Sequence, residues 1–241
     1  MTHDADMTTR TVLRQKRTWL IGIPILLIAV FVGGPYVYIH FIEGDPPAKL
    51  ALTKLKTTKA TTTAAASTSL DGTWNATTGS AVQYRVGEVL FGQSTTAVGK
   101  TTAVTGTLNI IGTTVPTATF TADLTKVTSD QANRDGQFQG RIMDTAKYPT
   151  ATFALTAPID LGSVPADRTQ ITVKAVGNLT LRGQTKPVTF DILAQRAGAT
   201  ISANGTIPIV FNGYQIPVPS FGPAQVEDHG ELVFLINFTA V

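Results

Sequence analysis

The chain contains no cysteine in its 241 residues. Disulfides, thiolate metal sites and a cysteine nucleophile are therefore excluded. Histidine is almost as scarce, and between Asp71 and Val241 only His229 occurs. A single imidazole gives a Ser–His pairing little material, and a histidine-based metal site would lack its other ligands. No nucleophile elbow, H-E-x-x-H, P-loop or dinucleotide fingerprint is present. The overall charge of +3 is a weak invitation to nucleic acid, and its position withdraws even that. Asp71–Val241 holds eleven Lys and Arg against twelve Asp and Glu, whereas the residues before it hold eight against four. Domains that bind nucleic acid carry a basic face of their own, so nucleic acid is set aside as a partner.

What the chain does have changes along its length. Residues 1–18 form a basic tail with Arg10, Arg14, Lys16 and Arg17. Trp19–Ile42 then carries no Asp, Glu, Lys or Arg. A bilayer core of about 30 Å needs about 20 apolar residues to cross it, so this run predicts a transmembrane anchor. Trp19 suits one interface and Tyr36, Tyr38 and Phe41 the other. Basic residues before the run, with Glu43 and Asp45 after it, orient the N-terminus to the cytoplasm. A signal peptide would need a small-x-small cleavage site, and Gly33-Gly34-Pro35-Tyr36-Val37-Tyr38 offers none, which favours an uncleaved anchor. Residues 43–70, with Pro46-Pro47 and a run of Thr, Ala and Lys, cannot bury a core and read as a flexible linker.

From Asp71 onward the pattern alternates with period two. Val82, Tyr84 and Val86 form one apolar face, as do Leu108 with Ile110, and Phe120 with Ala122 and Leu124. Phe153, Leu179 with Leu181, Phe190, Phe211 and Phe234 anchor the later sets. Eight such strands, punctuated by Gly, Pro and Asn, predict an antiparallel sandwich or barrel. The domain is long for one immunoglobulin-like unit of about 100 residues, and no strand set repeats, which favours a barrel of about eight strands. Gln131–Lys147 breaks the alternation, and Phe138, Ile142 and Ala146 fall at helical spacing, so a short helical crossing is expected.

Candidate chemistry is thin. Glu227-Asp228-His229-Gly230 reads as a solvated turn rather than a metal site. Asp135 and Asp144, interleaved with Arg134 and Arg141, read as ion pairs orienting the crossing rather than a glycosidase pair. No catalytic residue, metal or cofactor is expected, and the chain reads as a non-enzyme.

Two segments carry a family resemblance. Arg134-Asp135 leads to Lys147-Tyr148-Pro149-Thr150-Ala151-Thr152-Phe153, and Gly177-Asn178-Leu179-Thr180-Leu181-Arg182-Gly183-Gln184-Thr185-Lys186-Pro187-Val188 forms a hairpin motif. Trp74 opens the first strand. In this order they resemble the YceI-like family over roughly Asp71–Val241. Departures are Gly136-Gln137-Phe138, where a histidine and a leucine are common, and Ile142-Met143-Asp144 in place of Phe-Phe-Asp. The resemblance implies a lipocalin-like, all-β antiparallel barrel holding an isoprenoid lipid, for example a quinone or a polyprenyl phosphate. Its lining candidates are Tyr84, Leu108, Phe120, Phe138, Ile142, Phe153, Leu179, Leu181, Phe190, Phe211 and Phe234. Arg134 and Arg141 are the headgroup candidates. The expected protein is single-pass, with an extracytoplasmic β-domain at residues 71–241; its oligomeric state is open, a homodimer being one option. A filled barrel would show the same inward faces, so the alternative is a ligand-free structural or interaction module of the cell envelope.

Overall fold

Period-two alternation in the sequence becomes strand after strand in a computed structural model that describes residues 46–53, 69–90, 92–221 and 224–241. The expected tail, the anchor segment and most of the linker lie outside the described residues. No helix among the described residues is long and apolar enough to cross a membrane. Residues Pro46–Val89 and Ser94–Val241 form one compact unit.

The strands in chain order are β1 (Gly72–Ala76), β2 (Ala81–Leu90), β3 (Gln93–Thr101), β4 (Val104–Ile111) and β5 (Thr114–Asp123). There follow β6 (Thr128–Ser129), β7 (Thr150–Leu155), β8 (Ile159–Asp160), β9 (Gln170–Leu181) and β10 (Gln184–Ala197). The last are β11 (Thr200–Val210), β12 (Ser220–Phe221), β13 (Ala224–Val226) and β14 (His229–Ala240). Eight of them pair in the cycle β1-β4-β5-β7-β9-β10-β11-β14, and β14 pairs back onto β1 to close an antiparallel barrel. Closure removes the sheet edges that would otherwise invite association. β3, β6, β12 and β13 lie off the cycle, around β2.

β1 and β2 act as one strand interrupted by a bulge. Ala76 faces Phe238 but Ala81 faces Leu235, so two extra residues are absorbed between them. Gly79 supplies the left-handed backbone there, with φ of +83°. The Ser80 hydroxyl restores the interrupted ladder: it donates to the Thr77 carbonyl at 2.7 Å and accepts from the Asn237 N–H at 3.0 Å. At the other end of the barrel β9 and β10 meet through Arg182 and Gly183. Both have positive φ, the requirement of a type I′ hairpin turn.

The crossing is a short helix, α1 (Ala132–Gln137), followed by a π turn at Phe138–Ile142. This differs from the expected regular spacing. The Met143 N–H reaches the Phe138 carbonyl at 2.8 Å, an i→i+5 bond, and the widened turn rotates the next residues. Phe138 and Met143 are therefore buried, Ile142 is half-buried and Ala146 is exposed. Phe138 stacks on Tyr84 at 5.0 Å between ring centres.

Part of the expected linker is held against the barrel wall. Gln83 and its ladder partner Val233 point outward yet are buried. Gln83 Nε2 donates to the Ala48 carbonyl at 3.2 Å, and its Oε1 accepts from the Leu50 N–H at 3.4 Å. Asn204 Nδ2 donates to the Leu50 carbonyl, Arg85 to the Pro47 carbonyl, and Lys49 pairs with Glu231. Residues 46–53 are thus a strap across β2, β14 and β11.

Four phenylalanines cross the barrel interior as a plate. Phe120 neighbours Phe153 and Phe234 at 5.3 Å each, and Phe190 neighbours Phe153 at 5.3 Å and Phe234 at 5.7 Å. Room for the rings comes from small residues on adjacent strands. Gly106 lies opposite Phe120, Gly205 opposite Phe234 and Ala175 opposite Phe190. A Cβ on Gly177 would lie 2.4 Å from the Phe153 ring.

Candidate ligand cavity

The inward side chains of β9 change character along the strand. Ile171 and Val173 are partly exposed, whereas Ala175 and Leu179 are 0% exposed. The same change runs along β11, from Ala203, partly exposed, to Ile207 at 0%. Inward residues that retain accessible surface mark a cavity. It occupies the barrel end formed by the β4–β5 turn, the start of β9, the end of β10 and the end of β14.

The phenylalanine plate is its floor. Above it the wall is made by Leu108 and Ile110 from β4, Ala118 from β5, Val173 from β9, Ile192 from β10 and Ile236 from β14, among others. Leu70, Leu161 and Pro165 contribute at the mouth. The freely open part is about 110 Å³, and all the space between the lining atoms out to the mouth is about 900 Å³. Among the described residues the polar side chains in the lining are Thr119, Gln195 and Arg196. No carboxylate, imidazole or amine lines it among the described residues, and its surface suits the uptake of apolar material.

Backbone bonds fix the segment beside the mouth. Leu161 N–H donates to the Thr113 carbonyl at 2.8 Å, and Arg168 N–H to the Arg196 carbonyl at 2.7 Å. Gln195 Nε2 donates to the Arg168 carbonyl at 2.8 Å. Trp74 positions Leu70 by donating its indole N–H to the Leu70 carbonyl at 2.9 Å.

The residues singled out from sequence fall in three places. Leu108, Phe120, Phe153, Phe190 and Phe234 line this cavity. Leu179, Leu181 and Phe211 lie in the packed core on the other side of the plate, and Tyr84, Phe138 and Ile142 gather at the crossing. Arg134 and Arg141 are on the crossing, at the barrel end opposite this cavity. Arg134 binds Glu88 at 3.2 Å and Asp130, one turn away on the chain. Asp135 instead accepts from the Ser129 N–H and hydroxyl. Burial pushes the Tyr84 phenol well above its ordinary pKa.

Arg196 escaped the sequence reading. Its signal was parity: Phe190, Ile192 and Ala194 face inward, and the next inward position on β10 is 196. A charged residue ended the apolar run and hid that continuation.

His229 sits in an exposed cluster on the rim away from the cavity. Its Nδ1 is 3.0 Å from Asp228 Oδ1 and its Nε2 is 3.5 Å from Glu227 Oε2. The hydrogen bond to Asp228, helped by both carboxylate charges, raises its pKa above the ordinary value of 6.5. No group of three or more metal-ligating side chains occurs among the described residues.

Comparison with known proteins agrees with this architecture. The YceI-like domain model matches residues 74–238, more than half of the chain. A UPF0312 protein of Vibrio parahaemolyticus is 39% identical over 70 residues, which are 29% of this chain and 33% of that protein. The chain thus matches about a third of that relative's length. Among solved structures, a polyisoprenoid binding domain from Saccharophagus degradans superposes with a TM-score of 0.59 at 17% identity, over 70% of this chain and 99% of that one. Burkholderia cenocepacia BcnA gives 0.52 at 19% identity, over 66% and 95%. At such identity these two neighbours speak for the barrel fold, while the match across residues 74–238 carries the family. The chain belongs to the YceI-like family.

Proposed function

We propose that this protein binds an isoprenoid lipid, such as an isoprenoid quinone or polyprenyl phosphate, and carries or stores it at the outer face of the cytoplasmic membrane. The observation that carries the reading is the apolar cavity above the phenylalanine plate. An isoprenoid chain in water exposes a large apolar surface, and its burial is worth about 25 cal/mol per Å². A cavity lined almost wholly by aliphatic and aromatic side chains replaces the bilayer contacts that the chain gives up. The Saccharophagus degradans neighbour, described as a polyisoprenoid binding domain, supports the ligand class. The segment Trp19–Ile42 would anchor the barrel beside the membrane that supplies the ligand.

The test is native mass spectrometry with lipid extraction on the full chain purified from its own host in detergent. A stoichiometric polyprenyl species is expected. Ala203→Phe, which fills the cavity from β11, should remove that species without loss of stability. A protein that arrives empty, and takes up neither added isoprenoid quinone nor polyprenyl phosphate, would overturn the reading in favour of a filled envelope module.

A further inference from the structure

Among the described residues, three buried side-chain nitrogens make no hydrogen bond: Gln170 Nε2, Arg182 Nε and Arg196 Nε. Arg182 is engaged elsewhere through its guanidinium, which donates to the Gln215 carbonyl and lies over the Tyr148 ring. Of the three residues, only Arg196 lines the cavity. It occupies the inward position that follows Ile192 and Ala194, opposite Ile201 on β11. Its side chain is 16% exposed, and the carboxylate nearest to it, Asp167 Oδ1, is 3.8 Å from Nε. That oxygen already accepts from the Gly198 N–H at 2.8 Å, and the other lies 3.6 Å from Arg168 Nε. At 3.8 Å Asp167 moderates the charge of Arg196 without taking up its N–H.

A guanidinium in the wall of an apolar cavity, mostly removed from water and with a donor left open, is costly to hold without a partner. An oxyanion compensates both deficits, by charge and by accepting the fork of N–H groups, whereas a neutral carbonyl or hydroxyl supplies only the hydrogen bond. We infer that Arg196 is the headgroup-recognition residue of this cavity, and that the cavity takes an isoprenoid chain ending in an oxyanion of the phosphate or carboxylate type in preference to a neutral headgroup. This rests on the proposal that the cavity holds an isoprenoid chain. It moves the headgroup contact from the crossing, where Arg134 and Arg141 lie, to the opposite end of the barrel.

The experiment compares delipidated full-length protein binding a polyprenyl phosphate, the polyprenol of the same chain length, and an isoprenoid quinone of matched tail. The phosphate should bind about tenfold or more tightly than the polyprenol, and Arg196→Gln should erase that preference by weakening the phosphate far more than the polyprenol. Arg196→Lys should keep part of the preference, because the charge remains and the fork is lost. Asp167→Asn retains an acceptor for the Gly198 N–H and should enlarge the preference by removing the competing negative charge. Equal affinity for all three ligands in the unaltered protein, or a preference that survives Arg196→Gln, would overturn the role of Arg196 while leaving the lipid-binding proposal intact. Failure of every chain to bind would overturn both.

Discussion

The two ends of the barrel are built by the same strands with the same alternation, yet one is open and the other is packed. Toward the cavity the inward positions are Ala118, Val173, Ile192, Ala194 and Ala203, several of them small. Toward the crossing they are Leu179, Leu181, Ile207 and Leu232, all buried. Residue size alone does not fill a barrel of eight strands. The packed end gains further side chains from segments that fold over it: Phe211 and Tyr214 on the 3-10 turn Phe211–Tyr214, Ile216, and Met143 from the crossing. Among the described residues the open end receives Leu70 and, from the β7–β9 connection, Ile159, Leu161 and Pro165. Whether a barrel interior becomes core or cavity is thus decided as much by what its connections insert as by what its strands present.

The phenylalanine plate is where this contrast breaks most readily. Phe234 is 2% exposed and touches both Phe120 and Phe190. Phe234→Ala should lower stability by about 3–5 kcal/mol, the usual cost of truncating a buried phenylalanine. Urea denaturation would show it as a lower midpoint at an unchanged slope. The same substitution opens the floor, so the lipid recovered with the variant should shift toward longer chains. A midpoint within a few tenths of a molar of the parent protein would mean that the plate does not hold the two halves together.

A smaller effect is expected from adding one methyl group beneath the plate. On Gly177 a Cβ would lie 2.4 Å from Phe153 Cζ and 2.5 Å from the Ala154 carbonyl oxygen. The second neighbour is backbone and cannot rotate away, so Gly177→Ala should cost about 1–3 kcal/mol through overpacking. If thermal unfolding is unmoved, the rings of the plate are loosely seated and its role as a fixed floor is weakened.

The fold was legible because alternation is a long signal. Seven of the strands in the barrel cycle carry it openly, and the Arg182-Gly183 turn announced its hairpin. β1 was read only through Trp74, because a bulge separates its five residues from the better-patterned β2. The cavity was far less legible. Leu179 and Phe120 obey the same parity, and nothing local says that one is sealed in the core while the other floors an open space. That distinction comes from non-local insertion, as in Tyr214 and Met143. The strap at 46–53 was equally hidden, since its grip uses main-chain carbonyls of Pro47, Ala48 and Leu50, which every sequence possesses.

The smallest effect concerns charge, and it separates the two ends by pH. The domain's one histidine, His229, stands on the rim of the packed end, and among the described residues no histidine lines the cavity. Its pKa is raised by Asp228 first and Glu227 second, so the protonated imidazole favours the fold. The sign follows from linkage: the contribution is complete below the unfolded value near 6.5 and is lost as pH rises through the higher folded value. A nuclear magnetic resonance titration should place His229 above the ordinary range, and Asp228→Asn should bring it down. Across the same window the affinity for a neutral polyprenol should stay flat, because His229 lies beyond the plate from the chain. An affinity that followed the His229 titration would show that the two ends are coupled through the plate, and the division into a packed half and a binding half would have to be given up.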